Sequence, residues 1–221
     1  MNMIERAYYI FHRAVSHPRS RGTNSAGFWQ NTVRNKALEL CRLRCGRLLE
    51  IGCGEGIFLL ELSLANPGLD LVGIDNDPAV IQAGRRRIAA GQAKNITLVC
   101  GEGDNAAFGD GSFDTVVCIN VFLNIDRGLI KRILAQMHRL CKPHGRIIFD
   151  FRNRLNPLLV LKYRLAPYYD KTLAGKQLNA FLPKDIFSAL QEAGFSVAQQ
   201  YRLGSLIKPL APLVIVEAEK Q

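Results

Sequence analysis

The chain lacks several things that would mark particular classes of protein. No apolar run in its 221 residues approaches the roughly 18 that cross a membrane, and no signal-peptide core follows the start Met1 to Arg6. Both absences set a cytoplasmic expectation. There is one tryptophan, Trp29, and none of the six cysteines is spaced Cys-x-x-Cys. Cys41 and Cys45 stand four apart on an expected helix, so small buried thiols are expected, with no zinc site, no disulfides and no metal. No internal repeat, low-complexity stretch or second composition is visible, and one domain over residues 1–221 is expected.

Acidic residues are also scarce. Nineteen Asp and Glu face 29 Lys and Arg, a formal net charge of +10. Residues 1–47 hold nine basic and two acidic residues and residues 142–176 hold eight and two, so the rest of the chain is slightly negative. A basic excess in two flanking segments suits an anionic partner, whether an acidic small molecule, a phospholipid surface or nucleic acid, or else a solvated surface.

The stretch between those segments carries the chemistry. A short apolar strand, Leu48 to Ile51, runs into Gly52-Cys53-Gly54-Glu55-Gly56, then a helical run from Ile57 to Ala65 and a second strand, Leu69 to Ile74, closed by Asp75. Strand, glycine turn, helix, strand and terminal carboxylate make half of a nucleotide-binding βαβ unit. The turn needs positive φ and no side chain toward a ligand, which glycine supplies, and its exposed amides are expected to face that ligand. Asp75 can accept both hydroxyls of a ribose. Ile57 occupies the place of the third glycine in the dinucleotide fingerprint, and Glu50 sits where a pyrophosphate would be repelled. A cationic or amine-bearing ligand fits better.

Glu50-x-Gly52-x-Gly54-x-Gly56 followed by Asp75 resembles the first motifs of class I S-adenosylmethionine-dependent methyltransferases, of the small-molecule type. The likeness continues through Gly101 to Asp114, Val116 to Ile125, Gly145 to Asp150 and Phe181 to Phe195. It implies S-adenosyl-L-methionine as cofactor and a doubly wound, mostly parallel seven-stranded α/β sheet ending in an antiparallel hairpin. It further implies Glu50 on the methionine amino group, with the backbone of Gly52, Cys53, Gly54 and Gly56 beside it. Asp75 would meet the ribose, Glu102 and Gly103 the adenine, and Asn120 would lie near the methionine end, with Asn76 a further cofactor-binding residue. Asp104 is a rival to Glu102. Phe122-Leu123-Asn124 replaces the family's Leu-Glu-His, so no general base is carried over. No Asn-Pro-Pro-Tyr-like tetrapeptide follows the fourth strand, against methylation of exocyclic or amide nitrogens in nucleic acid or glutamine.

Around this core (46–151) stand an N-terminal arm (1–45), an insertion after the fifth strand (152–180) that the resemblance implies is an acceptor lid, and a C-terminal helix with what the resemblance implies is a strand hairpin (181–221). The arm reads as a helix over 1–12, a polar loop over 16–27 and a helix over 28–43, with Trp29 a packing anchor or a pocket wall. Asp77-Pro78 and Asp126 are helix starts, Phe113 to Asn120 is an apolar central strand, and Lys142 to Gly145 turns into the fifth strand, Arg146 to Phe151. Asp150, Arg152, Tyr168 and Tyr169 are the candidate acceptor contacts. The expected reaction is methyl transfer to a small acidic or membrane-associated acceptor. RNA methylation is disfavoured because no base-stacking motif is visible. A non-catalytic cofactor-binding or interaction protein on the same fold is the remaining alternative.

Overall fold

The computed structural model describes residues 28–169 and 178–221. The helix expected over 1–12 and the loop over 16–27 lie outside the described residues.

Helix α1 (Phe28–Cys41) leads into β1 (Arg47–Ile51), α2 (Ile57–Ala65), β2 (Asp70–Asp75), α3 (Pro78–Ala90) and β3 (Ile96–Cys100). Strand β4 (Phe113–Cys118), α4 (Arg127–Leu140) and β5 (Cys141–Arg152) follow. Then come α5 (Pro157–Tyr169), α6 (Pro183–Glu192), β6 (Phe195–Leu203) and β7 (Leu213–Lys220). The helix starts fall where short acids and prolines stand. Asp77 accepts from the Ala79 and Val80 amides ahead of Pro78, and Asp126 accepts from the Leu129 amide, which satisfies donors a helix leaves orphaned.

The seven strands lie in the order β3-β2-β1-β4-β5-β7-β6. The first five run parallel; β7 is antiparallel to β5 and to β6. Alternate residues of the central strands feed opposite faces. Leu49, Ile51, Val116 and Cys118 pack with α4 and α6 on one side, while Leu48 and Val117 pack with α1, α2 and α3 on the other. Strand order reverses between β1 and β4, and the carboxyl ends at that reversal are where an open α/β sheet takes its ligand.

One element differs from the sequence reading. Strand β5 begins at Cys141, five residues early, because Cys141 pairs with Phe113 before Arg146 resumes the ladder opposite Thr115. Lys142 to Gly145 bulge out between those pairs, with His144 at φ 59°. The segment expected as a lid contains, in its described part, helix α5. Asn156 accepts from the Leu159 amide, and Leu159 is fully buried.

Candidate functional site

The glycine turn joins β1 to α2 with Gly52, Gly54 and Gly56 at φ 75°, 54° and 71°. Its amides are mostly used within the protein, contrary to the expectation that they face a ligand. Gly52 and Cys53 donate to Ile74 O, Gly56 donates to Cys53 O, and Gly54 donates to Asp75 Oδ2 at 2.8 Å. What the turn offers is an opening at Gly54, since a Cβ on Gly52 would come within 2.3 Å of Val121 Cγ2. A methyl group built on Gly54 would meet nothing within 4 Å. Glu55, which pairs with Arg87 of α3, holds the turn from behind.

Two carboxylates flank this bend. Glu50, the penultimate residue of β1, is 3 % exposed and its Oε2 has no hydrogen-bond partner among the described residues. Burial pushes its carboxyl well above the usual range, with Arg34 of α1 opposing the shift and Asp75 adding to it. A buried carboxylate oxygen without a donor is costly, and an ammonium brought against it would relieve that cost. Asp75 closes β2, half-buried, its two oxygens held by the Gly54 amide at 2.8 Å and the Asp77 amide at 3.1 Å. A carboxylate has about four lone-pair sites, so this fixed group can still accept from a diol.

Along the same edge, Asn76 Nδ2 reaches Glu102 Oε2 at 3.3 Å, and both side chains are exposed. Asp104 is instead ion-paired with Arg132 Nε of α4 at 2.7 Å. Gly103 lies so close to β1 that a Cβ there would come within 2.5 Å of Ile51 Cγ2. Cys53 is buried and its thiol is pushed up by that burial and by Glu50 and Asp75, so it is a packing group rather than a nucleophile. The structure thus brings Glu50, the glycine turn, Asp75, Asn76, Glu102 and Gly103 to one edge.

It does not bring Asp150 and Arg152 to a surface where an acceptor could touch them. They are 1 % and 2 % exposed and paired with each other. Asp150 Oδ1 also accepts from the Asn120 amide, and burial raises its carboxyl against the opposing effects of Arg152 and that amide. Asn120, held at φ 58°, accepts from Arg152 through Oδ1 at 3.0 Å and donates from Nδ2 to Gln30 O of α1 at 3.3 Å. Both faces of a central strand are covered, so two charged residues at its end turn inward and pair. Tyr168 and Tyr169 are the last two residues of α5, and their side chains lie outside the described part.

Arg34 is a residue the sequence reading missed. It is largely buried, faces Glu50 electrostatically, and is ion-paired with Glu61 of α2 at 3.2 Å. Its signal was available: it shares a helical stripe with Ala37 and Cys41, both fully buried. Trp29, half-buried, packs against the core on the α1 face, and Lys162 Nζ of α5 lies 4.2 Å above its ring. A separate cleft of about 480 Å³ opens beside the starts of α4 and α6, lined by Arg127, Arg154, Asn179 and Phe181 among others. Among the described residues no group of three or more His, Cys, Asp or Glu could hold a metal ion.

The sheet order is that of a solved structure described as an S-adenosylmethionine-dependent methyltransferase, which superposes with a TM-score of 0.71 at 20% identity, a likeness of fold. Residues 48–145 match the family described as "Methyltransferase domain". Among curated proteins the chain is 32% identical over 126 residues to a demethylmenaquinone methyltransferase of Symbiobacterium thermophilum, covering 56% of this chain and 49% of that one. It is 35% identical over 107 residues to a ubiquinone/menaquinone biosynthesis C-methyltransferase of Citrifermentans bemidjiense, covering 47% and 44%. The chain spans about half the length of these relatives. Among solved structures, the Mg-protoporphyrin IX methyltransferase of Synechocystis with bound SAH (S-adenosylhomocysteine) superposes with a TM-score of 0.67 at 17% identity, covering 100% of this chain and 89% of that one. A Pyrococcus horikoshii protein gives 0.71 at 17% identity, covering 98% and 99%. These likenesses are of fold.

Proposed function

We propose that the chain is an S-adenosylmethionine-dependent methyltransferase acting on a small acceptor that is acidic or lipid-like, such as a quinol. The observation that carries the reading is the buried oxygen of Glu50, without a partner among the described residues, beside a turn that opens at Gly54. That oxygen fits the cofactor's ammonium and repels a phosphate. Asp75, already oriented by two amides, would take the ribose hydroxyls. Glu102, exposed and beside Asn76, would meet the adenine amino group, with Gly103 alongside. Asp104 is engaged by Arg132, which favours Glu102 over it. Asn120, tied on three sides, would wall the methionine end rather than donate to it.

The cofactor supplies an electrophilic methyl group on a sulfonium. The protein's part is then to fix the acceptor in line and exclude water, and no side chain need act as a base. An electron-rich acceptor, such as the reduced form of the quinones that the relatives' names mention, suits a site without a histidine after β4. Calorimetric titration with S-adenosylhomocysteine tests the reading. The wild type should bind one equivalent, and Asp75→Ala should weaken binding by about 1–3 kcal/mol through lost hydrogen bonds. No binding by the folded wild type would overturn it.

A further inference from the structure

Helix α5 has two apolar sides, and the fold uses one. Leu159 is fully buried, and the helix start is anchored where Asn156 Nδ2 donates to Leu210 O in the β6–β7 loop. On another side Leu158, Leu161 and Leu165, at i, i+3 and i+7, form a single stripe. They remain 74%, 53% and 46% exposed. With 3.6 residues per turn, Lys162 lies about 40° to one side of Leu158 and Arg164 about 60° beyond Leu161 on the other. Both basic side chains are exposed.

The β6–β7 loop extends the same surface. Asn153 Nδ2 holds Pro209 O and Ala211 O, so the loop sits at the start of α5 and carries Leu206 and Ile207, both exposed. Of nine large apolar side chains exposed among the described residues, five lie in these two segments and a sixth, Leu155, just before α5. Such clustering marks an interaction surface, whereas scattered leucines would not. The charge around it has one sign: residues 151–169 and 196–212 contain Arg154, Lys162, Arg164, Arg202 and Lys208 as well as the buried Arg152, and no Asp or Glu. A leucine stripe with a basic rim is the pattern of a helix lying in the plane of a membrane interface. The partner strands place it. Arg152 at the end of β5 pairs with Leu213 at the start of β7, so this surface shares the sheet edge with Glu50 and Asp75.

We infer that the outer stripe of α5 and the β6–β7 loop dock onto an anionic phospholipid surface, leucines at the acyl boundary and the basic rim at the headgroups. The inference rests on the proposed function only for its purpose, which is to collect a lipid-like acceptor at the edge where the methyl donor is held. The test is co-sedimentation of the full chain with vesicles of phosphatidylcholine alone and of phosphatidylcholine mixed with phosphatidylglycerol. The chain should pellet with the mixed vesicles and be released by salt. Arg164→Glu and Lys208→Glu should each weaken binding at least about fivefold, and Leu158→Ser about tenfold. All three should keep the wild-type melting temperature and S-adenosylhomocysteine affinity. Equal pelleting with both vesicle types, no pelleting, or a dimer that Leu158→Ser dissolves without any vesicle binding would overturn the inference. Vesicle binding without S-adenosylhomocysteine binding would sink the methyltransferase reading and leave the docking surface standing; the reverse result would remove docking alone.

Discussion

Replacing Glu50 by glutamine should separate what this residue does for the fold from what it does for the ligand. The carboxyl is buried, lacks a partner at Oε2 among the described residues, and titrates well above the usual range because burial, aided by Asp75, outweighs the opposing effect of Arg34. Between its unfolded value of 4.5 and that raised folded value, the folded chain holds one proton more than the unfolded chain. Stability therefore falls as pH rises through this window, by up to about 1.4 kcal/mol per pH unit. The contribution is complete below the unfolded value and gone above the folded one. Glu50→Gln keeps the shape and removes the titration, so at alkaline pH the variant should be more stable by about 1–3 kcal/mol, the cost of an unsatisfied buried polar group. For a chain of this size that is a rise of roughly 2–4 °C in melting temperature per kcal/mol.

The same change should weaken S-adenosylhomocysteine binding about 10- to 150-fold, the worth of a hydrogen bond to a charged group. An ammonium docking on Glu50 favours its ionised form, so wild-type binding should also release protons, seen as a dependence of the calorimetric heat on buffer ionisation enthalpy. The glutamine variant should lose that component. Thermal melts across pH together with titrations in two buffers make the measurement. A variant that is less stable at alkaline pH and binds as well as wild type would show that Glu50 serves the fold, and the reasoning would fail.

Four further outcomes follow from the same contacts. Glu102→Gln should lower S-adenosylhomocysteine affinity by about 1–2 kcal/mol, while Asp104→Asn, which loses only its exposed pairing with Arg132, should leave it within error in the same titration. Arg152→Met strands Asp150 and should cost about 3–5 kcal/mol in urea melts, most of it recovered when Asp150→Leu is added. Iodoacetamide should label Cys45 and Cys100, which are exposed, and spare the buried Cys41 and Cys141, pushed up to about 12 and about 11 mainly by burial; bound S-adenosylhomocysteine should slow labelling of Cys100, two residues before Glu102. Glu61→Gln frees Arg34 from its ion pair to turn toward Glu50, and should weaken S-adenosylhomocysteine binding in calorimetry although Glu61 lies outside the crevice.

Local punctuation made most of the fold legible. Asp77-Pro78, Asp126 and Pro183 mark helix starts through caps and fixed φ. The apolar runs 48–51, 69–74 and 113–118 mark strands buried on both faces. The start of β5 was hidden for a local reason too, since Pro143 and Gly145 read as a turn, while the pair Cys141–Phe113 that makes this stretch strand lies across the sheet. The fate of the turn's amides was equally hidden. Nothing in Gly52 to Gly56 says that Ile74 and Asp75, over 20 residues on, will take them. Asp150 and Arg152 were placed at the right edge and given the wrong surroundings. Positions i and i+2 share a face, but a sequence does not say whether that face meets solvent or an asparagine from another strand's end.

That asparagine explains how the crevice keeps an unpaired acid. Asp150 and Arg152 fix Asn120 in a left-handed turn, and Asn120 holds the Gln30 carbonyl of α1. One turn further along α1, Arg34 could have reached for Glu50, and a closed ion pair there would have neutralised the site. Glu61 takes Arg34 instead, at 3.2 Å. The helix is thus held near β1 by bonds that do not involve Glu50, and Arg34 is ion-paired with another acid. A carboxylate oxygen without a partner among the described residues persists next to the opening at Gly54 while Arg34, the cation that acts on Glu50, is ion-paired with Glu61. The stability forgone at Glu50 is the binding energy left for an incoming ammonium.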